Sequence, residues 1–322
     1  MSGAGPLLVA DIGGTNTRLA LAGAGRVDHA SLRRYRNSGF DGPEAVVARY
    51  LAEVGAVRPA AACAAVAAPV QDGAGQMTNI DWAVTEAGLS AAIGGGRAVL
   101  LNDLQAQGHA LGRIDPEALR PLIAAPAPDD PGAVRLVIGV GTGFNAAAVF
   151  ETQGGRLVAA SEAGHVSLPA SDAEIAALAH HLARELGHAN VEEALSGRGL
   201  AAIDSWLQAK PASAETVRDT GAVLAAAEAG EPCAKAATAL FTRLLGTVAG
   251  DLALVHLPFG GVFLIGGMAR SLAGRLARPE FAAAFRDKGR LAGLMERFPL
   301  WLVEDDYAAL TGCAAFLADS GA

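Results

Sequence analysis

Three places in this chain put carboxylates beside groups that could share a reaction with them. Asn102-Asp103 closes a short apolar run, Ala98 to Leu101, and a helical stretch from Leu104 to Leu111 follows at once. A carboxylate at the end of a buried strand can take a proton from a substrate hydroxyl. The pair also suits a helix N-cap, and both roles fit if Asn102 caps while Asp103 points into a cleft. Glu162-Ala163-Gly164-His165 sets a carboxylate and an imidazole three residues apart around a glycine. That spacing suits two adjacent hydroxyls of a sugar, and it equally describes a histidine satisfied within the structure. Glu192-Glu193 precedes Ser196-Gly197 and by itself reads as an acidic first turn favoured by the helix dipole.

Glycine-bearing turns follow three buried strands: Asp11 to Thr15, Gly139 to Gly143, and Gly266-Gly267. Glycine admits positive φ and lets a ligand approach bare backbone. Successive N–H groups in such turns form anion nests, and Asp11 could hold a cation through bound water. Two of the turns could wrap the phosphates of one nucleotide from opposite sides, with Gly266-Gly267 leaving room for an adenosine face. One turn alone is also an ordinary tight hairpin. None matches the P-loop or the dinucleotide fingerprint.

The elements that must hold these residues follow from the pattern. Leu7 to Leu21 reads as a strand, a tip at Asp11 to Thr15, and a second strand. Arg26 to Arg36 extends this meander. Asp41-Gly42-Pro43-Glu44 opens a helix running to Val54, and Ala61 to Ala68 is a buried strand of small residues. Val134 to Val140 and Ala146 to Phe150 repeat the hairpin design around Gly141-Thr142-Gly143, which points to an internally duplicated α/β architecture. Pro121 to Gly132 reads as a surface loop. Helices are expected at Ala173–Leu186, Glu192–Leu195, Ala222–Glu228, Ala234–His256, Met268–Ala277 and Tyr307–Ala318, and strands at Val262–Ile265 and Trp301–Val303.

Composition narrows the class. The 322 residues are 52% hydrophobic and 18% charged, which excludes disorder and fits a globular protein with a real core. A net charge of −8 with no dense Lys/Arg block argues against a nucleic-acid partner. The N-terminus, MSGAGPLLVAD, has no basic segment of a signal peptide. No apolar stretch reads as long enough for a membrane span, the longest being the alanine-rich run around Ala60 to Val70, broken by Pro69. Cys63, Cys233 and Cys313 form no C-x-x-C pair, so neither a zinc site nor a disulfide framework is implied. A soluble, cytoplasmic protein is expected.

Taken together, several blocks resemble bacterial glucokinases of the hexokinase/actin/Hsp70-type ATPase superfamily nearly end to end. They are ADIGGTNTRLAL (Ala10–Leu21), MTNIDW (Met77–Trp82), LLNDLQA (Leu100–Ala106), GVGTGFN (Gly139–Asn145), EAGHVSLP (Glu162–Pro169), EEALSGRGL (Glu192–Leu200) and GGVFLIGGMA (Gly260–Ala269). The resemblance implies an α/β, two-lobed actin-like ATPase (ribonuclease H-like) fold with an interdomain cleft. Its small lobe would comprise residues 1–104 completed by a C-terminal helix, 305–322, and its large lobe 105–304. It implies ATP-dependent phosphorylation of D-glucose to glucose 6-phosphate with Mg²⁺, with lobe closure excluding water, and a homodimer.

Residue by residue, the resemblance makes Asp103 the catalytic base. It makes Asn102, Asp103, Glu162, His165 and Glu192 hexose ligands, Glu193 replacing Glu192 on a one-residue slip. Ala10, Asp11, Ile12, Gly13, Gly14 and Thr15 become the first phosphate loop, with Asp11 a water-mediated Mg²⁺ partner. Gly141, Thr142 and Gly143 become the second phosphate loop, and Gly266 and Gly267 the adenosine strand end. A kinase for mannose, fructose or an amino sugar stays open, as does an ATP-binding regulatory or chaperone-like protein without sugar turnover. Asn145 stands where many relatives have glycine and is expected to alter nucleotide handling, leaving the hexose site alone. The related ROK proteins carry a Cys-rich zinc motif that this chain lacks, and nothing ahead of Leu7 reads as a helix-turn-helix. Both points argue against a ROK-type regulator.

Overall fold

The computed structural model describes residues 5–77, 80–126, 128, 130–209 and 218–321. Residues 1–4 of the N-terminal segment, Thr78 and Asn79 of the MTNIDW block, and Ala127 and Asp129 of the expected loop lie outside them. The chain forms two compact units. One comprises Met1–Pro116, Thr152–Ala160 and Asp305–Ala322, the other Glu117–Glu151 and Ser161–Glu304.

In the first unit β1 (Leu7–Ile12) pairs antiparallel with β2 (Asn16–Gly23), which also pairs with β3 (Arg26–Val27) and β4 (Arg33–Arg36). On its other side β1 runs parallel to β5 (Ala61–Val66), and β5 parallel to β8 (Arg97–Asn102). A separate two-stranded ribbon joins β6 (Ala74–Gln76) and β7 (Ala83–Thr85). Continuous apolar runs at β1 and β5 are what a parallel sheet covered on both faces requires. Leu8, Ala10 and Ile12 face one core with Val46, Val47 and Tyr50 of α1 (Pro43–Glu53) and Leu89 of α2 (Glu86–Ala92). Leu7, Val9 and Cys63 face the other, against Leu310, Cys313, Ala314 and Leu317 of the C-terminal helix Ala308–Asp319. That helix also packs on α3 (Asp103–Ala110).

The second unit repeats this plan. After β9 (Leu119–Ile123), β10 (Arg135–Val140) pairs antiparallel with β11 (Phe144–Thr152). The following strand, β12 (Gly155–Val158), groups with the first unit. Then β13 (Val262–Ile265) lies parallel to β10, and β14 (Leu300–Val303) parallel to β13. Its helices are α4 (Ala173–Leu186), α5 (Val191–Ala194), α6 (Gly197–Leu207), α7 (Thr220–Glu228), α8 (Pro232–His256), α9 (Gly267–Ser271), α10 (Ala273–Leu276), α11 (Pro279–Arg286) and α12 (Ala292–Met295).

Four local expectations change. The stretch from Pro121 begins in strand β9, antiparallel to β14, and not in a loop. Proline is tolerated there because β9 is the edge strand. The helix expected over Met268–Ala277 is two short helices, broken at Leu272. Helices α2, α6, α11 and α12 are not among those expected from the sequence. Helix α8, at 25 residues, is long and apolar enough to cross a membrane, contrary to the reading that no stretch was. Its apolar side chains, Phe241, Leu244 and Leu245 among them, are instead buried in the core of the second unit.

Candidate active site

At the first hairpin, Ile12 pairs with Thr17 and Asp11 with Arg18. Ala10 and Ile12 turn their side chains into the core, so they frame the turn through backbone alone. The Asp11 carboxylate makes an ion pair of 3.1 Å with Arg18, the side chains 21% and 28% exposed. Burial pushes the Asp11 carboxyl up from its ordinary value, and the Arg18 guanidinium works against that. Arg18 also donates to the Asp306 carbonyl at 3.3 Å. Asn37, almost fully buried, braces the tip. Its amide donates to the Gly13 carbonyl at 2.7 Å, its side-chain oxygen accepts from the Thr17 hydroxyl at 2.9 Å, and its backbone N–H donates to the Thr15 carbonyl at 3.0 Å.

The tip works by short reach, not by left-handed backbone: Gly13, Gly141 and Gly143 all lie outside the positive-φ region. Two N–H groups are consumed inside the turns, Gly13 donating to Asn16 at 3.0 Å and Gly141 to Gly143 at 2.9 Å. Among the described residues, the N–H groups of Gly14, Thr15, Thr142 and Gly143 donate to no protein acceptor. They are the ones a phosphate can use.

At the end of β8, the two neighbouring side chains divide. Asn102 caps α3: its Oδ1 accepts from Leu104 N–H at 3.0 Å, and the Gln105 side chain accepts from Asn102 N–H at 3.1 Å. This is a full capping box. The Asn102 amide also donates to the Ala68 carbonyl at 3.1 Å. Asp103, the first helical residue, accepts from Leu104 N–H at 2.9 Å. The cap that sequence reasoning offered as the alternative for this pair therefore belongs to Asn102.

In the second unit the strand ends meet. Gly266 takes φ +113°, and a Cβ there would stand 2.4 Å from the Val140 carbonyl, so only glycine brings β13 this close to the rung before Gly141. Gly267 begins α9, and Ser271 at its far end donates to the Gly267 carbonyl at 2.9 Å. A cavity of about 420 Å³ opens beside it, lined by Leu224, Ala227, Glu228, Lys235, Ser271 and Arg275 among others. Burial, and then the neighbouring Arg278 charge, hold Arg275 below its ordinary value.

Directly after the second turn, Phe144 bonds Glu192 and Asn145 bonds the segment that carries Glu162. The Glu192 carboxylate accepts from Phe144 N–H at 2.9 Å and pairs with Arg198 at 3.3 Å. Of the acidic pair, it is Glu192 whose carboxylate reaches Phe144. Gly164 lies against the Phe144 carbonyl so tightly that a Cβ would come within 2.0 Å. His165 N–H donates to the Glu162 carbonyl at 3.0 Å, and its Nδ1 is 3.5 Å from the Asn190 amide nitrogen. Asn190 in turn caps α5, which carries Glu192.

Asn145 corrects an expectation. Its amide donates to the Ser161 carbonyl at 2.7 Å, and its oxygen accepts from Ala163 N–H at 2.9 Å. It is tied to the segment carrying Glu162, not turned toward the phosphate loop beside it. Sequence reasoning also missed Asn37, Arg18, Arg198 and Asn190. A buried asparagine gives no periodic signal, and Arg18 was read only as part of an alternating strand. Among the described residues no three His, Cys, Asp or Glu side chains cluster as a metal cage. A single carboxylate still fits Mg²⁺ that arrives with ATP, since that ion keeps waters and phosphate oxygens as most of its ligands.

The family model described as Glucokinase matches residues 8–320. A glucokinase of Caulobacter vibrioides (strain NA1000) is 36% identical over 321 residues, covering 98% of this chain and 96% of that one. The crystal structure of a glucokinase from an Antarctic psychrotroph superposes with a TM-score of 0.84 at 32% identity, covering 97% of this chain and 98% of that one. A glucokinase from Balamuthia mandrillaris, solved in complex with glucose, shares the fold at 22% identity and a TM-score of 0.78, covering 99% and 95%. The architecture is thus that of the two-lobed actin-like ATPases, within the α/β class.

Proposed function

As the chain belongs to the glucokinase family, we propose that it transfers the γ-phosphoryl group of ATP to the 6-hydroxyl of D-glucose, releasing glucose 6-phosphate and ADP. The observation that carries this reading is that Phe144 bonds the Glu192 carboxylate and Asn145 bonds the backbone on either side of Glu162, with His165 on the same short turn, immediately after a glycine turn with unspent N–H groups. A binding-only ATPase has no use for such a cluster.

Each residue then has a task. Asp103 takes the proton of the 6-hydroxyl as the bond to phosphorus forms. Phosphoryl transfer through a loose transition state asks the protein mainly to position groups and neutralise charge. The N–H groups of Gly14, Thr15, Thr142 and Gly143 do this for the phosphate oxygens. Asp11 would hold, through water, the Mg²⁺ that arrives with ATP, and the bound ion would supply further neutralisation of phosphate charge. Glu162, His165 and Glu192 hold the sugar hydroxyls, and Asn102 contributes its remaining amide hydrogen. The adenosine lies on the Gly266–Gly267 backbone and reaches the cavity beside α9.

The same base would serve mannose or fructose, so the test is a coupled assay of ADP release over a panel of hexoses with ATP and Mg²⁺. Glucose is expected to give the highest kcat/KM. Absence of turnover with every hexose would overturn the proposal. The reading places the enzyme in the cytoplasm, where ATP is supplied, and as a homodimer, which light scattering checks.

A further inference from the structure

The segment Ser161–Ala163 has no strand partner, yet it carries Glu162, which the proposed function needs in a fixed place. Backbone of this kind must find hydrogen bonds elsewhere. Asn145 supplies them from the adjacent strand. Its Nδ2 donates to the Ser161 carbonyl at 2.7 Å, and its Oδ1 accepts from Ala163 N–H at 2.9 Å and from Ala146 N–H at 2.8 Å. The Ser161 hydroxyl adds a donation to the Ala146 carbonyl. Glu162 therefore sits between the two residues whose backbone this one amide holds, and His165 closes its turn onto the Glu162 carbonyl.

We infer that Asn145 is a positioning residue for sugar recognition, acting through Glu162, and that it sets affinity for the hexose and not for ATP. Both ends of the amide are engaged in the sugar segment, so none of these contacts serves a phosphate. A side chain that satisfies a donor and an acceptor at once has few substitutes: Asp keeps the oxygen facing Ala163 but sets oxygen against the Ser161 carbonyl. The inference rests on the glucokinase reading, since it needs Glu162 to meet sugar.

The test compares Asn145→Ala, Asn145→Asp, Glu162→Gln and the double variant Asn145→Ala/Glu162→Gln with the wild type. Glucose affinity is measured by calorimetry without nucleotide, and KM for both substrates by coupled assay. Of the three hydrogen bonds lost in Asn145→Ala, the two to the sugar segment predict a glucose KM raised about five- to twenty-fold, with KM for ATP held within about two-fold. If Asn145 works through Glu162, the double variant is no weaker for glucose than Glu162→Gln alone, because effects within one network do not add. Asn145→Asp, which keeps the size, must show the same shift in glucose KM and serves if the alanine variant does not fold. A wild type that phosphorylates glucose, with variants whose effects multiply or which move only KM for ATP, overturns this inference and leaves the glucokinase reading standing. A wild type that binds no hexose overturns both.

Discussion

One rung before the tip, the first hairpin pairs Asp11 with Arg18, and the second pairs Gly139 with Asn145. Both hairpins are backed by two parallel strands, β5 and β8 in one unit, β13 and β14 in the other. Equivalent backbone thus carries an ion pair in one case and a bare glycine facing an amide in the other. The first tip is anchored within its own unit by Asn37 and by Arg18, which reaches Asp306. The second is anchored to the very residues proposed to read the sugar, through Phe144 to Glu192 and through Asn145 to Ser161–Ala163. A repeated sheet plan determines where the turns fall. The side chain on the rung decides what each turn is coupled to.

On the proposed function, the first tip serves ATP and the residues tied to the second tip serve the hexose, a division that kinetics can break. Asp103→Asn keeps the size and one acceptor while removing the base. It should lower kcat by about 10²–10⁴-fold with little change in glucose Kd, followed by calorimetry. Full activity in that variant would end the catalytic assignment, since the Asn102 cap stays in place in it. In the second unit, Glu162→Gln and His165→Ala should raise glucose KM by about ten- to a hundred-fold each, leaving KM for ATP in place. Glu192→Gln should sit below both in its effect on glucose, since that carboxylate already spends itself on Phe144 and Arg198. An equal or larger loss there would mean that its sugar contact dominates.

Smaller effects sharpen the contrast between the tips. Asn37→Ala strips the first tip's brace of its two side-chain bonds, to Gly13 and Thr17, and keeps the backbone bond to Thr15; it should cost about 1–3 kcal/mol in chemical denaturation. KM for ATP should rise in the same variant, and KM for glucose should not. Arg18→Met leaves the Asp11 carboxylate without its cation. Partial exposure limits the expected loss to about 1–2 kcal/mol at neutral pH. The sign follows from burial, which already raises the Asp11 carboxyl above its ordinary value of 3.8. Without Arg18 the native carboxyl rises further, so the variant's deficit should be largest at neutral pH. It should shrink as the pH falls through the raised value toward 3.8. The Arg18 guanidinium also lies over the Tyr307 ring, 5.9 Å from its centroid, and a deficit that is constant with pH would show that Arg18 matters for that contact and not for its pairing with Asp11.

Much of the scaffold was legible in one dimension. The small apolar run at Ala61 could only be buried, and β5 is buried along its whole length. Helix α4 begins at its Asp172 cap and ends before Gly187, which takes a left-handed turn. Strand–glycine–strand patterns located both hairpins, because alternation and turn residues act over a few neighbours. Three features were decided by tertiary structure alone. Pro121 stands in a strand because an edge was available to it beside β14. Helix α8 is a core helix, although its length and hydropathy also suit a membrane, because other elements of its unit cover its apolar residues. Asn145 serves the sugar segment because residues 161 and 163, far along the chain, arrive where its amide can bond both. Composition and period say which residues are buried and which are turned. Where an amide on a strand finds its donor and acceptor depends on what the folded chain brings alongside, and no local pattern encodes that.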